Sequence, residues 1–224
     1  MARVVAVSGA SGKTGYRIAE ELLAVGIHPR LLLRSESAVP PSLTHCEQVR
    51  LNIENVDALD QALVGAEALV IATGARPSID LSGPMRVDAW GVKRQIESCQ
   101  RVNVNRVVLV SSLCAGRWRH PLNLFGLILV WKRIGERALE RSGFAWTVIR
   151  PGGLSERESG LDGEGLRLTG PDQQESDSIP RRLVARFCVD ALETPSSIGR
   201  ILEITSDDSI PLVPLAEALS KSTL

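Results

Sequence analysis

Three glycines at three-residue spacing, Gly9, Gly12 and Gly15, follow the first apolar segment of the chain. The segment before them starts near Val4 and is rich in valine, and an amphipathic segment follows at once. This pattern predicts a strand, a tight turn and a helix start. A turn without Cβ atoms lets the backbone approach a diphosphate, and the helix start directs N–H groups and positive partial charge at the anion. The loop therefore predicts a bound nucleotide.

The glycine loop also contains Gly12, Lys13 and Thr14, which resemble the end of an ATP-binding P-loop. In a P-loop another glycine precedes Gly-Lys-Thr by four intervening residues, but that position is Val7, inside the predicted strand. The later apolar run that starts at Ala68 ends in Ala-Thr-Gly and provides no aspartate for Mg²⁺. The register excludes a P-loop and favours a dinucleotide, although the spacing is G-x-x-G-x-x-G rather than G-x-G-x-x-G.

The end of the second predicted strand, residues 30–34, distinguishes NADP from NAD. At this position an acid accepts hydrogen bonds from the 2′-hydroxyl of NAD, whereas an arginine pairs with the 2′-phosphate of NADP. Arg34 favours NADP, with Ser35 as a second donor. Glu36 would favour NAD if the strand ended one residue differently. We predict NADP, with NAD as the less favoured alternative.

Strands and helices alternate over the first two thirds of the chain. Further strands are predicted at residues 49–53, 68–72, 106–110 and 145–150, and helices at 56–63, 88–103 (with Trp90 facing inward) and 131–141. This alternation implies parallel pairing through right-handed crossovers. We predict an α/β fold with a doubly wound, Rossmann-like parallel sheet.

The remaining residues are too few for a second substantial domain. They predict a loop at 156–174 with a short strand at 166–168, a helix at 180–193, a strand at 200–205 and a terminal helix at 212–220. We therefore expect one domain over residues 1–224, in which about 155–224 contribute a small C-terminal cap over the substrate.

Composition excludes several classes of function. The 26 basic and 26 acidic residues cancel, so no net charge attracts nucleic acid or an anionic membrane. The chain start lacks the apolar core of a signal peptide, and the later apolar stretch at 122–131 is too short for a transmembrane segment. The 4 cysteines and 3 histidines are scattered, which predicts reduced thiols and no metal site. We expect a cytoplasmic monomer or small homo-oligomer.

Six blocks occur in order along the chain: GASGKTG at 9–15, LRS at 33–35, ATGA at 72–75, VSS at 110–112, WKR at 131–133 and RPGGL at 150–154. Together they resemble the atypical short-chain dehydrogenase/reductase superfamily, in its NAD(P)H-binding, NmrA-like branch. Similar members are the biliverdin-IXβ reductase/flavin reductase type and related chloroplast and cyanobacterial proteins. The resemblance covers nearly the whole chain.

The resemblance implies a set of cofactor-binding residues. These are Gly9, Ser11, Gly12, Lys13 and Thr14 at the diphosphate; Arg34 and Ser35 at the 2′-phosphate; Asn52 and Ile53 at the adenine; Ala72, Thr73, Gly74 and Arg76 at the ribose and diphosphate; and Pro151, Gly152, Gly153 and Leu154 at the nicotinamide. Asn52 stands where the family usually has aspartate. An asparagine still donates to and accepts from the adenine edge.

The resemblance also implies catalytic residues. Ser112, with Ser111 beside it, matches the active-site serine, and Lys132 matches the lysine of the family's Tyr-x-x-x-Lys pair. The tyrosine position is occupied by Ile128, and the only tyrosine of the chain, Tyr16, lies beside the glycine loop. Without a phenol, alcohol–ketone chemistry lacks its general acid. Flavins, quinones and conjugated tetrapyrroles remain possible acceptors, because the nicotinamide supplies the hydride and solvent supplies the proton.

The chain therefore supports two main hypotheses: an NADPH-dependent reductase of a planar conjugated acceptor, and a non-catalytic NADP-binding sensor or assembly protein. The missing tyrosine weakens a third, epimerase activity on a nucleotide sugar. Arg117, Trp118, Arg119 and His120 follow the fifth predicted strand, where a lip of the substrate site is expected. A basic and aromatic lip fits an anionic planar ligand and equally fits a protein partner.

Overall fold

The computed structural model describes residues 3–75, 81–124 and 126–221. The strands are β1 (Val4–Ser8), β2 (His28–Leu33), β3 (Glu47–Arg50), β4 (Ala68–Ile71), β5 (Arg106–Val110), β6 (Ala145–Pro151), β7 (Gly153–Ser155), β8 (Glu164–Thr169), β9 (Ser178–Pro180) and β10 (Arg200–Pro211). The α-helices are α1 (Gly15–Ala24), α2 (Val56–Leu63), α3 (Val92–Val102), α4 (Ile128–Glu140), α5 (Arg181–Glu193) and α6 (Leu215–Lys221). A π-helical segment, Met85–Gly91, leads into α3.

The described strands form one large sheet and one small one. The large sheet has the order β3-β2-β1-β4-β5-β6-β10-β8, and only the edge strand β8 runs antiparallel to its neighbour. The small sheet pairs β7 with β9 in parallel. The order reverses at β1, with β2 on one side and β4 on the other, as expected of a doubly wound sheet. The alternation of strands and helices predicted this architecture.

The core lies on both faces of the sheet. Successive strand residues point to opposite faces, so that Val5 and Val7 of β1 pack with α1 and α5, whereas Ala6 packs with α2 and α3. The central strands are continuous apolar runs because helices cover them on both sides. No helix in the described ranges combines the length and apolarity needed to cross a membrane.

The C-terminal segment extends the main sheet. Its strands β10 and β8 lie beside β6, and its helix α5 packs along α1. Only β7 and β9 stand apart as a separate ribbon. The expected substrate cap over residues 155–224 therefore stays a prediction, whereas the observed role of this segment is to widen the sheet.

Several predicted bounds differ from the structure: β2 ends at Leu33 rather than at residue 34, β10 continues to Pro211 rather than ending at 205, and α6 begins at Leu215 rather than at 212. Two further local predictions, which concern the candidate site, were wrong. The third strand was expected at residues 49–53, but β3 ends at Arg50, so that Asn52 and Ile53 follow it in a turn. Trp90 was expected to face inward, yet it is 50% exposed. The wider turn of the π-helical segment Met85–Gly91 changes which side chains face the core, and a regular helical period does not anticipate such a shift.

Candidate functional site

The predicted cofactor residues lie at one edge of the large sheet. Together with the predicted catalytic serines, which follow β5, they lie at the ends of the six neighbouring parallel strands β3, β2, β1, β4, β5 and β6. Ligands of open α/β sheets bind outside the carboxyl ends of the strands, at the point where the strand order reverses. Lys132 reaches this edge from α4. Arg76 lies outside the described residues.

The glycine loop makes a tight turn directly after β1. Gly9 has a φ of 82°, and the Gly12 N–H donates to the Gly9 carbonyl oxygen at 2.8 Å. A Cβ on Gly9 would lie 2.8 Å from the Ala72 carbonyl group, and one on Gly15 would lie 2.1 Å from the Gly9 oxygen. A Cβ is therefore excluded at Gly9 and at Gly15, which leaves the backbone at these positions accessible to a diphosphate.

Helix α1 begins at Gly15, directly after the glycine loop. Thr14 is its N-cap residue, but its side chain makes no capping hydrogen bond. The Thr14 hydroxyl instead accepts from Arg181 Nη1 at 3.0 Å. Because no side-chain oxygen caps the helix, its positive end is available to an anion.

A buried hydroxyl near the glycine loop has no hydrogen-bond partner among the described residues. Ala72, Thr73 and Gly74 follow β4, and Thr73 Oγ1 is buried without a hydrogen bond to any described residue. An unsatisfied buried hydroxyl costs about 1–3 kcal/mol. A cofactor hydroxyl or phosphate oxygen would satisfy it, so the residues at this position fit the ribose and diphosphate that the sequence predicts there.

A pocket of about 430 Å³ opens beside the glycine loop. It is lined by Ser11, Arg34, Ser35, Glu36, Ser37 and Ala38. The Ser11 and Ser37 hydroxyl oxygens are 3.2 Å apart, which joins the glycine loop to the loop after β2. Arg34 is exposed, and its guanidinium forms no ion pair with any residue that the structure describes. An unpaired cation in a pocket next to the turn fits a 2′-phosphate.

Arg50 shapes this pocket, although no sequence pattern indicated it. Its Nη1 donates to the carbonyl oxygens of Ser35 at 2.7 Å and Ser37 at 2.8 Å. It thereby fixes the loop that carries Arg34. Because β2 ends at Leu33, Arg34 is the first residue after the strand, although Glu36 also lines the pocket.

Asn52 and Ile53, the predicted adenine neighbours, lie in the turn after β3. The Asn52 carboxamide oxygen accepts from the Glu54 N–H at 3.0 Å. Ile53 packs against the π-helical segment, where a Cβ on Gly91 would lie 3.1 Å from its Cδ1. Both residues remain at the carboxyl edge, and their contact with adenine stays a prediction.

Lys132 is held by a buried carboxylate. Its Nζ donates to Asp88 Oδ1 at 2.8 Å, and the two side chains are 13% and 2% exposed. The other Asp88 oxygen accepts from the Ala75 N–H at 3.2 Å. A Cβ on Gly74 would lie 3.9 Å from both charged atoms, which places the pair beside the segment after β4.

The backbone explains how Asp88 reaches this position. It lies in the π-helical segment, and α4 approaches so closely that a Cβ on Gly135 would be 2.3 Å from the Asp88 carbonyl oxygen. π-Helical turns are often found at functional sites. The sequence predicted Lys132 through a family motif but missed Asp88, because its partner is distant in the chain.

The two serines after β5 differ in their surroundings. Ser111 Oγ is 2.6 Å from Glu136 Oε1, and Arg150 donates to both oxygens of Glu136 at 2.9 and 2.8 Å. The Ser112 hydroxyl makes no hydrogen bond within the described part of the chain. Of the two predicted serines, Ser112 is therefore the one available to a ligand.

Arg150 connects this network to the C-terminal half of the chain. It is 1% exposed and also reaches Glu203 Oε1 at 3.3 Å and Asp172 Oδ1 at 3.0 Å. Burial opposes its charge, but the hydrogen bonds and charges of the surrounding carboxylates outweigh burial and raise the pKa of Arg150. The network was missed by sequence reasoning because every one of its members is charged or polar and they come from separate elements.

Glu203 extends the network to the lip of the site. Its carboxylate accepts from the backbone N–H groups of Asp172 at 2.8 Å, Gln173 at 3.0 Å and Gln174 at 2.8 Å. A Cβ on Gly116 would lie 3.2 Å from Asp172 Oδ1, so the loop held by Glu203 packs on the segment after β5. The walls of the site are therefore supported by buried charge.

The segment from Pro151 to Leu154 connects the two sheets. The Gly152 N–H donates to the Ile204 carbonyl oxygen at 3.0 Å, and a Cβ on Gly152 would lie 2.5 Å from the Asp177 carbonyl oxygen. Gly153 is exposed and begins β7. These residues follow β6 at the carboxyl edge, as predicted, and their contact with a nicotinamide stays a prediction.

No tyrosine hydroxyl lies near Lys132. The family's tyrosine position is occupied by Ile128, and the single tyrosine of the sequence, Tyr16, lies elsewhere. Ile128 begins α4 and packs against the small apolar cluster of Leu113, Cys114 and Leu129. Tyr16 lies at the other end of the site, where the Arg17 guanidinium carbon is 4.6 Å from its ring centroid. The aromatic ring is therefore paired with a cation near the glycine loop.

The predicted lip, formed by Arg117, Trp118, Arg119 and His120, lies in the segment between β5 and α4, and exposed apolar side chains continue beyond it toward α4. Trp118 is 71% exposed and Leu124 is 83% exposed. Asn123 fixes this segment, since its side chain donates to the Trp118 carbonyl oxygen at 3.0 Å and accepts from the Leu129 N–H at 3.0 Å. Arg117 is paired with Glu175 at 2.9 Å. The lip thus presents apolar groups to solvent on a fixed backbone.

Comparison with known proteins identifies the fold and its ligand class. A family model described as NAD(P)H-binding matches residues 9–195, from the glycine loop to the loop after α5. A solved structure titled a putative NAD-dependent epimerase/dehydratase from Bacillus halodurans is 27% identical, with a TM-score of 0.84 over 99% of this chain and 100% of that chain. The predicted recognition of an NAD(P)H-binding chain is confirmed.

Three curated relatives illustrate the range of similar proteins. An uncharacterized chloroplastic protein of Arabidopsis thaliana is 33% identical over 92% of this chain and 78% of its own length. Sanguinarine reductase of Eschscholzia californica is 31% identical over 90% of this chain and 88% of its own length. The chloroplastic protein TIC 62 of Arabidopsis thaliana is 28% identical over 97% of this chain, which spans only 38% of TIC 62.

Proposed function

The chain belongs to the NAD(P)H-binding family, and from that premise we propose that it is an NADPH-dependent reductase of a planar conjugated acceptor. The bound nicotinamide would supply the hydride. The observation that carries the proposal is the combination of Lys132, fixed by Asp88 beside Gly74, with Ile128 where a phenol would stand. The chain retains a group that orients the cofactor and lacks a phenolic general acid.

The acceptor class follows from the missing acid. Ser112 provides a hydroxyl that makes no hydrogen bond to any residue of the described ranges, and this hydroxyl can donate to an acceptor atom. Lys132 is bound to Asp88 and provides an ammonium for orienting the nicotinamide ribose. Flavins, quinones and tetrapyrrole-like molecules draw their proton from solvent, so they suit a site of this kind. One relative, sanguinarine reductase, carries the name of a reductase.

Arg34 supports NADP rather than NAD. It is an exposed arginine without an ion pair among the described residues, and it lines the pocket beside the glycine loop with the hydroxyls of Ser35 and Ser37. A phosphate with this set of donors gains charge-assisted hydrogen bonds. Glu36 lines the same pocket and weakens the preference without reversing it, because Arg34 directly follows the strand.

The lip supports a planar anionic acceptor. Trp118 offers an exposed aromatic surface, and Arg117, which is paired with Glu175, adds a guanidinium at the same segment. Aromatic side chains stack on planar ligands, and a basic group favours an anionic one. We place the acceptor between this lip and the free hydroxyl of Ser112.

The second proposal is a non-catalytic NADP-binding protein that presents the lip to a protein partner. It is favoured by the exposure of Trp118, Leu122, Leu124 and Leu127, since clustered apolar side chains often mark interaction sites. The similarity to part of TIC 62 fits this alternative, because that protein is much longer than the shared region.

Steady-state oxidation of NADPH distinguishes the two proposals. The protein is mixed with excess NADPH and either FMN or dichlorophenolindophenol, and oxidation is compared with NADPH binding followed by fluorescence. Oxidation of many equivalents per protein supports the reductase, and Lys132→Met should reduce it while retaining the 2′-phosphate pocket. Binding without turnover across the acceptors contradicts the reductase and favours the second proposal, whereas absence of binding contradicts both.

A further inference from the structure

The small β7–β9 sheet brings two charged residues together. Ser155 pairs in register with Pro180, so the residues that follow, Glu156 and Arg181, emerge side by side. Arg181 Nε donates to Glu156 Oε1 at 3.1 Å, and its Nη1 donates to the Thr14 hydroxyl at 3.0 Å. A residue from the far end of the chain therefore lies on the glycine loop.

The packing of α5 on α1 supports this placement. Arg181, the first residue of α5, contacts Thr14, which precedes α1, whereas Arg182 reaches Glu20 at 2.7 Å further along α1. The contacts run in the same order along both helices, so the helices are parallel and their N-termini lie together. Two helix N-termini, each with positive partial charge, therefore converge at the glycine loop.

Glu156 is the anion at the centre of this positive region. Its carboxylate lies 2.9 Å from Lys13 Nζ, 3.2 Å from Arg17 Nη2 and 3.1 Å from Arg181 Nε. The Lys13 ammonium, followed by Arg181, holds the pKa of Glu156 below its usual value. Arg17 has a second carboxylate in Glu158, whereas Lys13 has no other acidic partner among the described residues.

We propose that Arg181 is a further ligand of the cofactor diphosphate. In the protein without cofactor, Glu156 occupies the position of the diphosphate, and the diphosphate displaces it on binding. The guanidinium of Arg181 has the planar fork that binds phosphate oxygens in pairs. Glu156 is 48% exposed, so its carboxylate passes into water at small cost when the more highly charged diphosphate pairs with Lys13 and Arg181. This inference rests on cofactor binding in the proposed function and is independent of hydride transfer.

A matched pair of variants tests the role of Arg181. We compare Arg181→Gln with Arg182→Gln by measuring dissociation constants for NADPH and for adenosine 2′-monophosphate, which has the 2′-phosphate but no diphosphate. Arg181→Gln should weaken NADPH binding about tenfold or more and leave the fragment unchanged. Arg182→Gln should change neither. The assignment is overturned if Arg181→Gln weakens the binding of NADPH and of the fragment equally, or if it weakens the binding of neither.

A substitution of Glu156 should change the affinity for NADPH in the direction opposite to Arg181→Gln. Glu156→Gln removes the competing charge and should tighten NADPH binding by about threefold or more. If Glu156→Gln binds NADPH with unchanged or lower affinity, the proposal that the diphosphate displaces Glu156 is overturned. Failure of the proposed reductase would instead appear as NADPH that is bound normally but not oxidised, and that result leaves the diphosphate inference intact.

Discussion

The two ends of the carboxyl edge handle charge in opposite ways. At the glycine-loop end, Lys13 is 66% exposed and Arg34 lies in an open pocket without an ion pair among the described residues. At the serine–lysine end, Lys132 is 13% exposed, and Asp88 and Arg150 are 2% and 1% exposed and already paired. One end offers charge to a ligand, whereas the other uses charge internally to fix its own side chains.

This difference separates affinity from positioning. Exposed cations contribute binding energy only when an anion arrives, and salt screens them. Buried pairs contribute little net stability but are strongly destabilising when one partner is removed. We therefore expect substitutions at the glycine-loop end to change cofactor affinity, and those at the serine–lysine end to change stability first.

The largest effect is expected for Arg150→Met. This variant leaves the fully buried Glu203 without a cation and leaves the fully buried Glu136 with Arg133 alone, and the free energy of unfolding should fall by about 3–5 kcal/mol in urea denaturation. The control is Arg167→Met, which removes an exposed pair with Asp207 and should leave the free energy of unfolding nearly unchanged. If both variants lost the same free energy of unfolding, the pairs of Arg150 would be no more important for stability than an exposed pair, which would contradict the contrast between the two ends.

The buried pair of Lys132 and Asp88 should show strong coupling. In a double-mutant cycle of Lys132→Met and Asp88→Asn, each single variant leaves a buried partner unpaired, and we expect a coupling energy of about 2 kcal/mol. The measurement is the free energy of unfolding of the four proteins. A coupling energy near that of a surface pair, about 0.5 kcal/mol, contradicts the buried pairing.

Arg34→Glu should lower the affinity for NADPH and leave the affinity for NADH nearly unchanged. The reversed charge in the pocket should weaken NADPH binding by about tenfold or more and affect NADH far less, because only NADPH has the 2′-phosphate. Fluorescence titration with both cofactors measures the difference, with little change in the free energy of unfolding. The same loss for both cofactors would show that Arg34 does not contact the 2′-phosphate.

The smallest effect is expected for Thr73→Val. The hydroxyl of Thr73 is buried without a partner among the described residues, so the unliganded protein should keep or gain stability when the hydroxyl is removed, whereas NADPH affinity should fall by about 1 kcal/mol. Thr147→Val is the matched control, since the Thr147 hydroxyl is bonded to the Ser197 carbonyl oxygen at 2.9 Å in the core. In Thr147→Val the free energy of unfolding should fall, because the variant removes a hydrogen bond in the core. A destabilised Thr73→Val with unchanged affinity would contradict a ligand role.

The glycine-loop end was predictable because its signals are contiguous. The spacing of Gly9, Gly12 and Gly15 determines the turn, and the last residues of a strand determine where Arg34 lies. Likewise, the predicted bounds of β5 match the structure, since the apolar run from Val107 to Val110 is flanked by Arg106 and Ser111. Local sequence and local geometry coincide in these cases.

The serine–lysine end was only partly predictable. A family motif indicated Lys132 and Ser112, but nothing local indicated that Asp88, Glu136 and Glu203 would be buried beside them. Charged residues are normally expected at the surface, and pairing of Arg150 with Glu203 joins residues 53 positions apart. The π-helical turn that carries Asp88 also breaks the period on which helix prediction depends.

The most direct test of a single cofactor spanning both ends is a crystal structure of the protein with NADPH bound. We predict the 2′-phosphate at Arg34, the diphosphate on the glycine loop with Glu156 displaced from Arg181, and the nicotinamide ribose at Lys132, with the nicotinamide face open toward Trp118. A nicotinamide face sealed by Trp118, or a cofactor that does not reach Lys132, would contradict the proposed reductase.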